Sequence, residues 1–125
     1  ITKRQDGKVQ IVLENIYFDL NKWDIKPDAA RILDVLIELL NKYPEMYIEI
    51  DAHTDSRATA TYNLMLSDRR AKATLEYLVK NGINRNRLKS KGYGESQPLI
   101  ECGKTRICTE QEHSINRRCE FIILK

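Results

Sequence analysis

The stretch HTDSRATATYNLMLSDRRA, residues 53–71, holds the side chains best placed to do chemistry. It sets an acid, Asp55, at a strand end and an arginine, Arg70, fifteen residues later in a helix. A carboxylate holds an ammonium through a short charge-assisted hydrogen bond. The planar guanidinium fork takes a carboxylate bidentately, which lysine cannot do. Converging on one pocket, the pair suits a zwitterion, a ligand centre carrying both an ammonium and a carboxylate. Asp55 also fits a local role, its side chain bonding its own backbone two residues on. Catalysis would need a metal cluster, a Ser or Cys nucleophile with a paired His, or two catalytic carboxylates. His53 is the only histidine near the stretch, and no cysteine accompanies it. The chain therefore reads as a binding module and not as an enzyme, with no metal and no cofactor.

The elements that must position these residues follow from patterning. Residues 1–7 are polar and read as an N-terminal linker, leaving residues 8–125 as the domain. KVQIVLENIYF, residues 8–18, is rich in β-branched and aromatic residues and predicts a strand. Pro27 opens a helix whose stripe is Ala29, Leu33, Leu36, Ile37 and Leu40, and Asn41 and Pro44 close it. Residues 47–52 alternate, with Ile48, Ile50 and Ala52 on one face, as a half-buried strand does. A second helix is expected over residues 63–80, its stripe Ala71, Leu75, Leu78 and Val79, stopped by Asn81-Gly82. Strands are expected over residues 87–93 and 117–124, the latter with Cys119, Phe121 and Ile123 on one face. The fold class is α+β, a β-α-β-α-β-β sandwich with a mixed four-stranded sheet and two main helices on one face. The other sheet face must be polar or covered by loops.

A chain of 125 residues is one domain by size and long enough to bury a core. It is 42% hydrophobic and 31% charged, and no apolar run approaches the roughly 20 residues of a membrane span. It begins at Ile1 and not Met, so it reads as a piece of a longer protein, and the lack of a targeting segment says little about location. The net charge of +3 gathers late, in Arg85, Arg87, Lys89, Lys91, Lys104, Arg106, Arg117 and Arg118. These read as a solvated surface. Nucleic acid would call for interleaved aromatics or a reading helix, and this segment offers only Tyr93. Cys102 and Cys108 flank GKTRI in a polar loop and suit a local disulfide in an oxidising compartment. Zinc would need more ligands than the nearby His113 and Cys119, and the spacing is a poor match. Cys119 reads as a small buried strand residue.

Seven motifs in order connect the chain to a known family. They are NIYFD at residues 15–19, IKP at 25–27, HTD at 53–55, YN at 62–63, LSDRRA at 66–71, KGYGES-P at 91–98 and NRRCEF at 116–121. Together they span nearly the whole chain and resemble the OmpA C-terminal-like family, the peptidoglycan-binding domain shared by OmpA, the peptidoglycan-associated lipoprotein and the stator protein MotB. The resemblance implies a ligand, the diaminopimelate residue of the peptidoglycan stem peptide. It assigns the ligand's ammonium to Asp55 and its carboxylate to Arg70. It also implies supporting contacts from Phe18 and Asp19 in the NIYFD turn, from Asn63 and Leu66 on the helix, and positive charge from Arg118. Structural roles stand beside these: Asn63 suits a helix cap, Phe18 suits the core, and Arg69 suits a solvated helix face.

The implied function is a periplasmic, non-catalytic tether between the outer membrane and the cell wall. Any membrane part lies upstream of this sequence, and the oligomeric state is open. The alternatives are the wall-anchoring domain of a flagellar-type motor stator, which shares the fold and the task, and a peptidoglycan hydrolase, which lacks a recognisable catalytic set. Two positions depart from the family pattern, since Ala52 and Ala58 stand where glycine is usual. If either needs positive φ, alanine strains it by about 1 kcal/mol; otherwise the loop over residues 56–61 takes a different path. The ECGKTRICTEQEH insert resembles a form found in Bacteroidota members of the family.

Overall fold

The computed structural model describes residues 2–3, 6–19, 21–103 and 106–124. Five strands form one mixed sheet: β1 (Thr2–Lys3), β2 (Val9–Ile11), β3 (Ile48–His53), β4 (Leu88–Gly94) and β5 (Arg118–Ile123), in the order β1-β2-β5-β3-β4. The four principal strands and the α+β class are those expected from patterning. The two-residue β1 extends the sheet from within the segment read as linker, pairing Thr2 with Gln10 and Lys3 with Val9. β5 runs antiparallel to both β2 and β3, while β3 and β4 are parallel. Parallel neighbours cannot be joined by a tight turn. The helix α2 (Ala60–Lys80) makes that crossover, as α1 (Pro27–Lys42) does between β2 and β3.

Both helices bury their stripes in a single core. Ala29, Leu33, Leu36 and Leu40 of α1 and Ala71, Leu75 and Leu78 of α2 close on Ile11, Ile48, Ile50, Ala52, Leu88 and Phe121 of the sheet. Pro27 stands in the first turn of α1, where its missing N–H costs nothing. At the other end Arg87 donates to the carbonyls of Leu40, Tyr43 and Met46, closing the C-terminus of the helix. The Arg87 side chain expected on a solvated surface is thus a structural clasp.

Three boundaries differ from the sequence reading. The first strand ends at Ile11, and residues 12–19 leave the ladder. Asn15 Nδ2 keeps this segment against the start of β5 by donating to the Arg117 carbonyl at 3.0 Å. Ile16 turns inward there, 3% exposed. Helix α2 begins at Ala60, three residues early, because Thr59 caps it by accepting from Tyr62 N–H. The insert, read as loop, contains a third helix, α3 (Glu110–Asn116), started by a Thr109–Glu112 capping box.

The far face of the sheet is polar and yet partly covered. Asp51, His53 and Glu120 are buried there, opposite the core face. His53 Nε2 lies 2.9 Å from Glu120 Oε1, and the His53 ring stacks on Tyr93 at 5.2 Å. Burial and a carboxyl–carboxyl hydrogen bond with Glu49 push the Asp51 acid up to about 8.

Candidate functional site

β3 ends at His53, and Thr54 N–H closes onto the Gly94 carbonyl at 2.9 Å, so Asp55 is the first residue free of the sheet. Its Oδ1 accepts the Arg57 backbone N–H at 3.0 Å, a local turn of the kind the sequence allowed. Its Oδ2 accepts two guanidinium hydrogen bonds, from Arg57 Nη2 and Arg117 Nη1, each at 2.8 Å. Glu110 of α3 accepts from the same two arginines, Arg57 Nη1 on Oε2 and Arg117 Nη2 on Oε1, both at 2.7 Å. The four side chains close a ring in which each arginine bridges both acids. Burial alone would raise the Asp55 carboxyl; the two guanidiniums outweigh it and hold it well below the usual carboxylate range. Glu110 is likewise lowered, by Arg117 and then Arg57.

Arg70 reaches the same cavity from α2 and is 8% exposed. Nε donates to the Lys22 carbonyl at 2.9 Å and Nη2 to the Asp19 carbonyl at 3.1 Å. These carbonyls belong to a turn in which Lys22 N–H bonds Asp19 O and Asn21 takes positive φ, 58°. Tyr62 of α2 pins that turn from its side, donating its hydroxyl to Asn21 Oδ1 at 2.6 Å. The guanidinium lies over the Phe18 ring, 4.9 Å from its centroid. Burial lowers the Arg70 pKa from its ordinary value, yet an arginine stays charged.

Asp55 and Arg70 line one open cavity of about 470 Å³ together with Phe18, Asn63, Leu66 and Arg117. That volume is in the range of small-ligand pockets. Asn63 is no helix cap: it sits inside α2, and its Nδ2 donates to the Asp55 and Ala58 carbonyls and to Glu95 Oε1. It therefore fixes the loop that carries Asp55. Phe18 serves both roles, half-buried against the core and facing the cavity. Asp19 contributes its carbonyl to Arg70, while its carboxylate turns away to Lys26 at 2.9 Å.

Arg118 does not line this cavity. β5 pairs it with His53 on the far face, where its Nη2 donates to the Gln97 carbonyl and its Nε lies 3.4 Å from Glu120. The arginine at the cavity is its neighbour Arg117, which precedes the strand. Ala52 and Ala58 introduce no strain: among the described non-glycine residues only Asn21 has positive φ. Arg57, Arg117 and Glu110 were not singled out from sequence as site residues. A signal for the last existed in the TEQE capping box of residues 109–112.

His53 ends β3 and turns to Glu120 on the far face, and it does not line the cavity. Among the described residues no group of three or more His, Cys, Asp and Glu side chains is arranged to hold a metal. Cys102 and Cys108 form a disulfide, and removal from water pushes the Cys119 thiol up to about 12. A larger groove of about 670 Å³ lies between residues 12–17 and α1, but none of the HTD or RRA residues reaches it.

This sheet order, with an acid after the third strand and an arginine from the crossover helix meeting in one cavity, defines an α+β class of domain with a small-ligand pocket at the end of its central strand. The chain belongs to the OmpA family, whose model matches residues 17–109. It is 42% identical over 99 residues to the peptidoglycan-associated lipoprotein of Rhizobium meliloti (strain 1021), covering 79% of this chain and 56% of that protein. It is 38% identical over 89 residues to the peptidoglycan-associated lipoprotein of Brucella melitensis, covering 71% of this chain and 53% of the relative. The chain thus spans about half the length of these relatives. Among solved structures, the peptidoglycan-associated lipoprotein from Burkholderia pseudomallei superposes with a TM-score of 0.75 at 25% identity, covering 87% of this chain and 88% of that one. The C-terminal domain of Helicobacter pylori MotB shares the fold, with a TM-score of 0.77 at 19% identity over 92% of this chain and 85% of that one.

Proposed function

We propose that this domain is a non-catalytic periplasmic tether that holds the peptidoglycan stem peptide by its diaminopimelate residue. The observation that carries the reading is the convergence of Asp55 and Arg70 on one cavity in a chain of this family. The free end of diaminopimelate is an amino acid centre. Its ammonium goes to Asp55, and its carboxylate goes to the Arg70 donors that the Lys22 and Asp19 carbonyls do not use. Phe18 and Leu66 cover the aliphatic stem, and Asn63 holds the acid's loop in place. The 42% identity to a peptidoglycan-associated lipoprotein favours an outer-membrane tether over a motor stator, whose likeness here is one of fold.

Two measurements test this. Asp55→Asn and Arg70→Lys should each lose co-sedimentation with purified sacculi while keeping a wild-type circular dichroism spectrum; if both pellet as the wild type does, the cavity is not the site. Titration calorimetry with a stem peptide carrying diaminopimelate against the same peptide carrying lysine, whose free end keeps the ammonium and lacks the carboxylate, reads the carboxylate separately. Equal affinity for the two would remove Arg70 from the assignment.

A further inference from the structure

The ring of Asp55, Arg57, Glu110 and Arg117 poses a problem for any ligand ammonium. The carboxylate it needs is already bonded by two guanidiniums on Oδ2 and by a backbone N–H on Oδ1. One acceptor position stays open on Oδ1, but an ammonium there stands beside both guanidiniums, a repulsion relieved when one of them releases Asp55. A released arginine with no other acceptor would leave an unpaired cation beside the incoming ammonium, which is repulsive. Glu110 removes that penalty, because each arginine already holds it through a second nitrogen. Arg57 also has open space beside it for the exchange, with a half-exposed side chain, whereas Asp55 is nearly buried.

We infer that Glu110, supplied by the insert helix α3, is a specificity-determining positioning residue. It keeps Arg57 and Arg117 paired while the ligand's ammonium takes their place on Asp55. Glu110 lines the same cavity and acts there through the arginines, both of which it holds. With it, the ring is two acids and two bases, neutral overall, so the site prefers a zwitterion. Without it, the ring carries an extra positive charge and prefers a plain carboxylate. The insert thereby becomes part of the binding site: Asn116, at the end of α3, accepts from Leu99 and Ile100 N–H, and the disulfide closes the loop before Thr109. The inference rests on the ammonium assignment made above for Asp55.

The test is calorimetry on wild type and Glu110→Gln, each with meso-diaminopimelate and with pimelate, the same dicarboxylate chain lacking both ammonium groups. Glu110 is largely exposed at the first turn of a helix, so its substitution should leave the melting temperature nearly unchanged. The substitution should weaken diaminopimelate about fivefold, in keeping with a half-exposed ion pair. Pimelate should bind no more weakly than to wild type, so the preference for the zwitterion shrinks. Adding Arg57→Ala to Glu110→Gln should restore part of the diaminopimelate affinity by removing the displaced cation. If both ligands weaken by the same factor, or neither changes, Glu110 is merely structural and the inference is overturned. If wild type binds no diaminopimelate at all, the proposed function fails first, and this inference with it.

Discussion

Gly92 is where the fold and the candidate site are most directly coupled. It lies on the core face of β4, opposite Ala52, and α2 crosses directly over it. A Cβ built there would stand 2.5 Å from Asp68 Cα and 2.6 Å from Ser67 Oγ, with the Asp68 backbone nitrogen closer still. Ordinary carbon contacts begin near 3.5 Å, so Gly92→Ala forces the helix back by about 1 Å. Backbone cannot rotate out of the way as a side chain does. Overpacking of this kind costs roughly 1–3 kcal/mol. The retreat also stretches the buried bond from Gly94 N–H to Ser67 Oγ, now 2.8 Å, adding about 1 kcal/mol or more. The sum, about 3 kcal/mol, is a large share of the 5–15 kcal/mol typical of a domain. Urea unfolding followed by circular dichroism measures it. Gly82→Ala is the control: φ there is +100° with nothing within 4 Å, so only backbone strain of about 1 kcal/mol applies. Because α2 carries Asn63, Leu66 and Arg70, the Gly92 variant should also bind sacculi more weakly even where it is folded. A Gly92→Ala loss no larger than the Gly82→Ala loss would refute the close helix–strand approach.

Three other perturbations follow from the same geometry. Asp51, held protonated by burial up to about 8, binds a proton in the native state that the unfolded chain releases near its ordinary value of 3.8. The native state therefore holds more protons between these values, and stability must fall as pH rises from about 4 through 8. Asp51→Asn should flatten that fall and raise the melting temperature at pH 8, and an unchanged pH–stability profile would contradict the assignment. Arg87→Met removes the donor to the Leu40, Tyr43 and Met46 carbonyls at and beyond the end of α1 and should cost about 2 kcal/mol in urea unfolding. Arg87→Lys should recover little, since one ammonium cannot reproduce the fork, and full rescue by lysine would disprove the clasp. Replacing Cys102 and Cys108 together by serine opens a loop of sequence separation 6 and should cost about 2 kcal/mol. No shift in the melting temperature would show that α3 is held by Asn116 and its capping box alone.

How much of this was legible follows from which signals are local. The strand expected over residues 47–52 and the stripe of α1 are written in alternation and helical spacing; the strand lies one residue later, at Ile48–His53, and all of the stripe but the half-buried Ile37 is buried. Asp55 and Arg70 were legible because each stands in its own motif, and helix α2 joins the two at fixed length. Arg117 and Arg118 were not separable. They are the same residue type side by side, but Arg117 ends helix α3 while Arg118 opens β5 with its side chain on the far face. Choosing between them needs the residue at which β5 begins, and boundaries are the weakest part of any sequence reading. Arg87 escaped for a different reason. Its three acceptors lie at positions 40, 43 and 46, more than forty residues away, and no pattern in the chain connects them. Glu110 was hidden because the insert looked like a polar loop, although Thr109 and Glu112 spelled a helix start.

The occupied state of Asp55 also bears on how tightly such a site can hold its ligand. On the proposed reading, an ammonium arriving at Oδ2 replaces a guanidinium of equal charge, so the exchange trades one ion pair for another of similar strength. Partly exposed pairs contribute at most about 1 kcal/mol each, and the difference between two of them is smaller. On the same reading Arg70 would add a charge-assisted bond to the ligand carboxylate, but its Nε and Nη2 are already bonded to the Lys22 and Asp19 carbonyls. Most of the net gain must then come from covering the aliphatic stem with Phe18 and Leu66, about 0.8 kcal/mol per buried methylene. Three methylenes and one net polar contact give roughly 3–4 kcal/mol before the cost of immobilising the ligand, which places a single site on the order of millimolar or weaker. Strong anchoring then depends on many copies engaging the wall together, where each further contact is made at high effective concentration. A site whose charges pair with each other when empty fits that use, since no single unit needs to grip for long and none exposes a bare charge when it lets go.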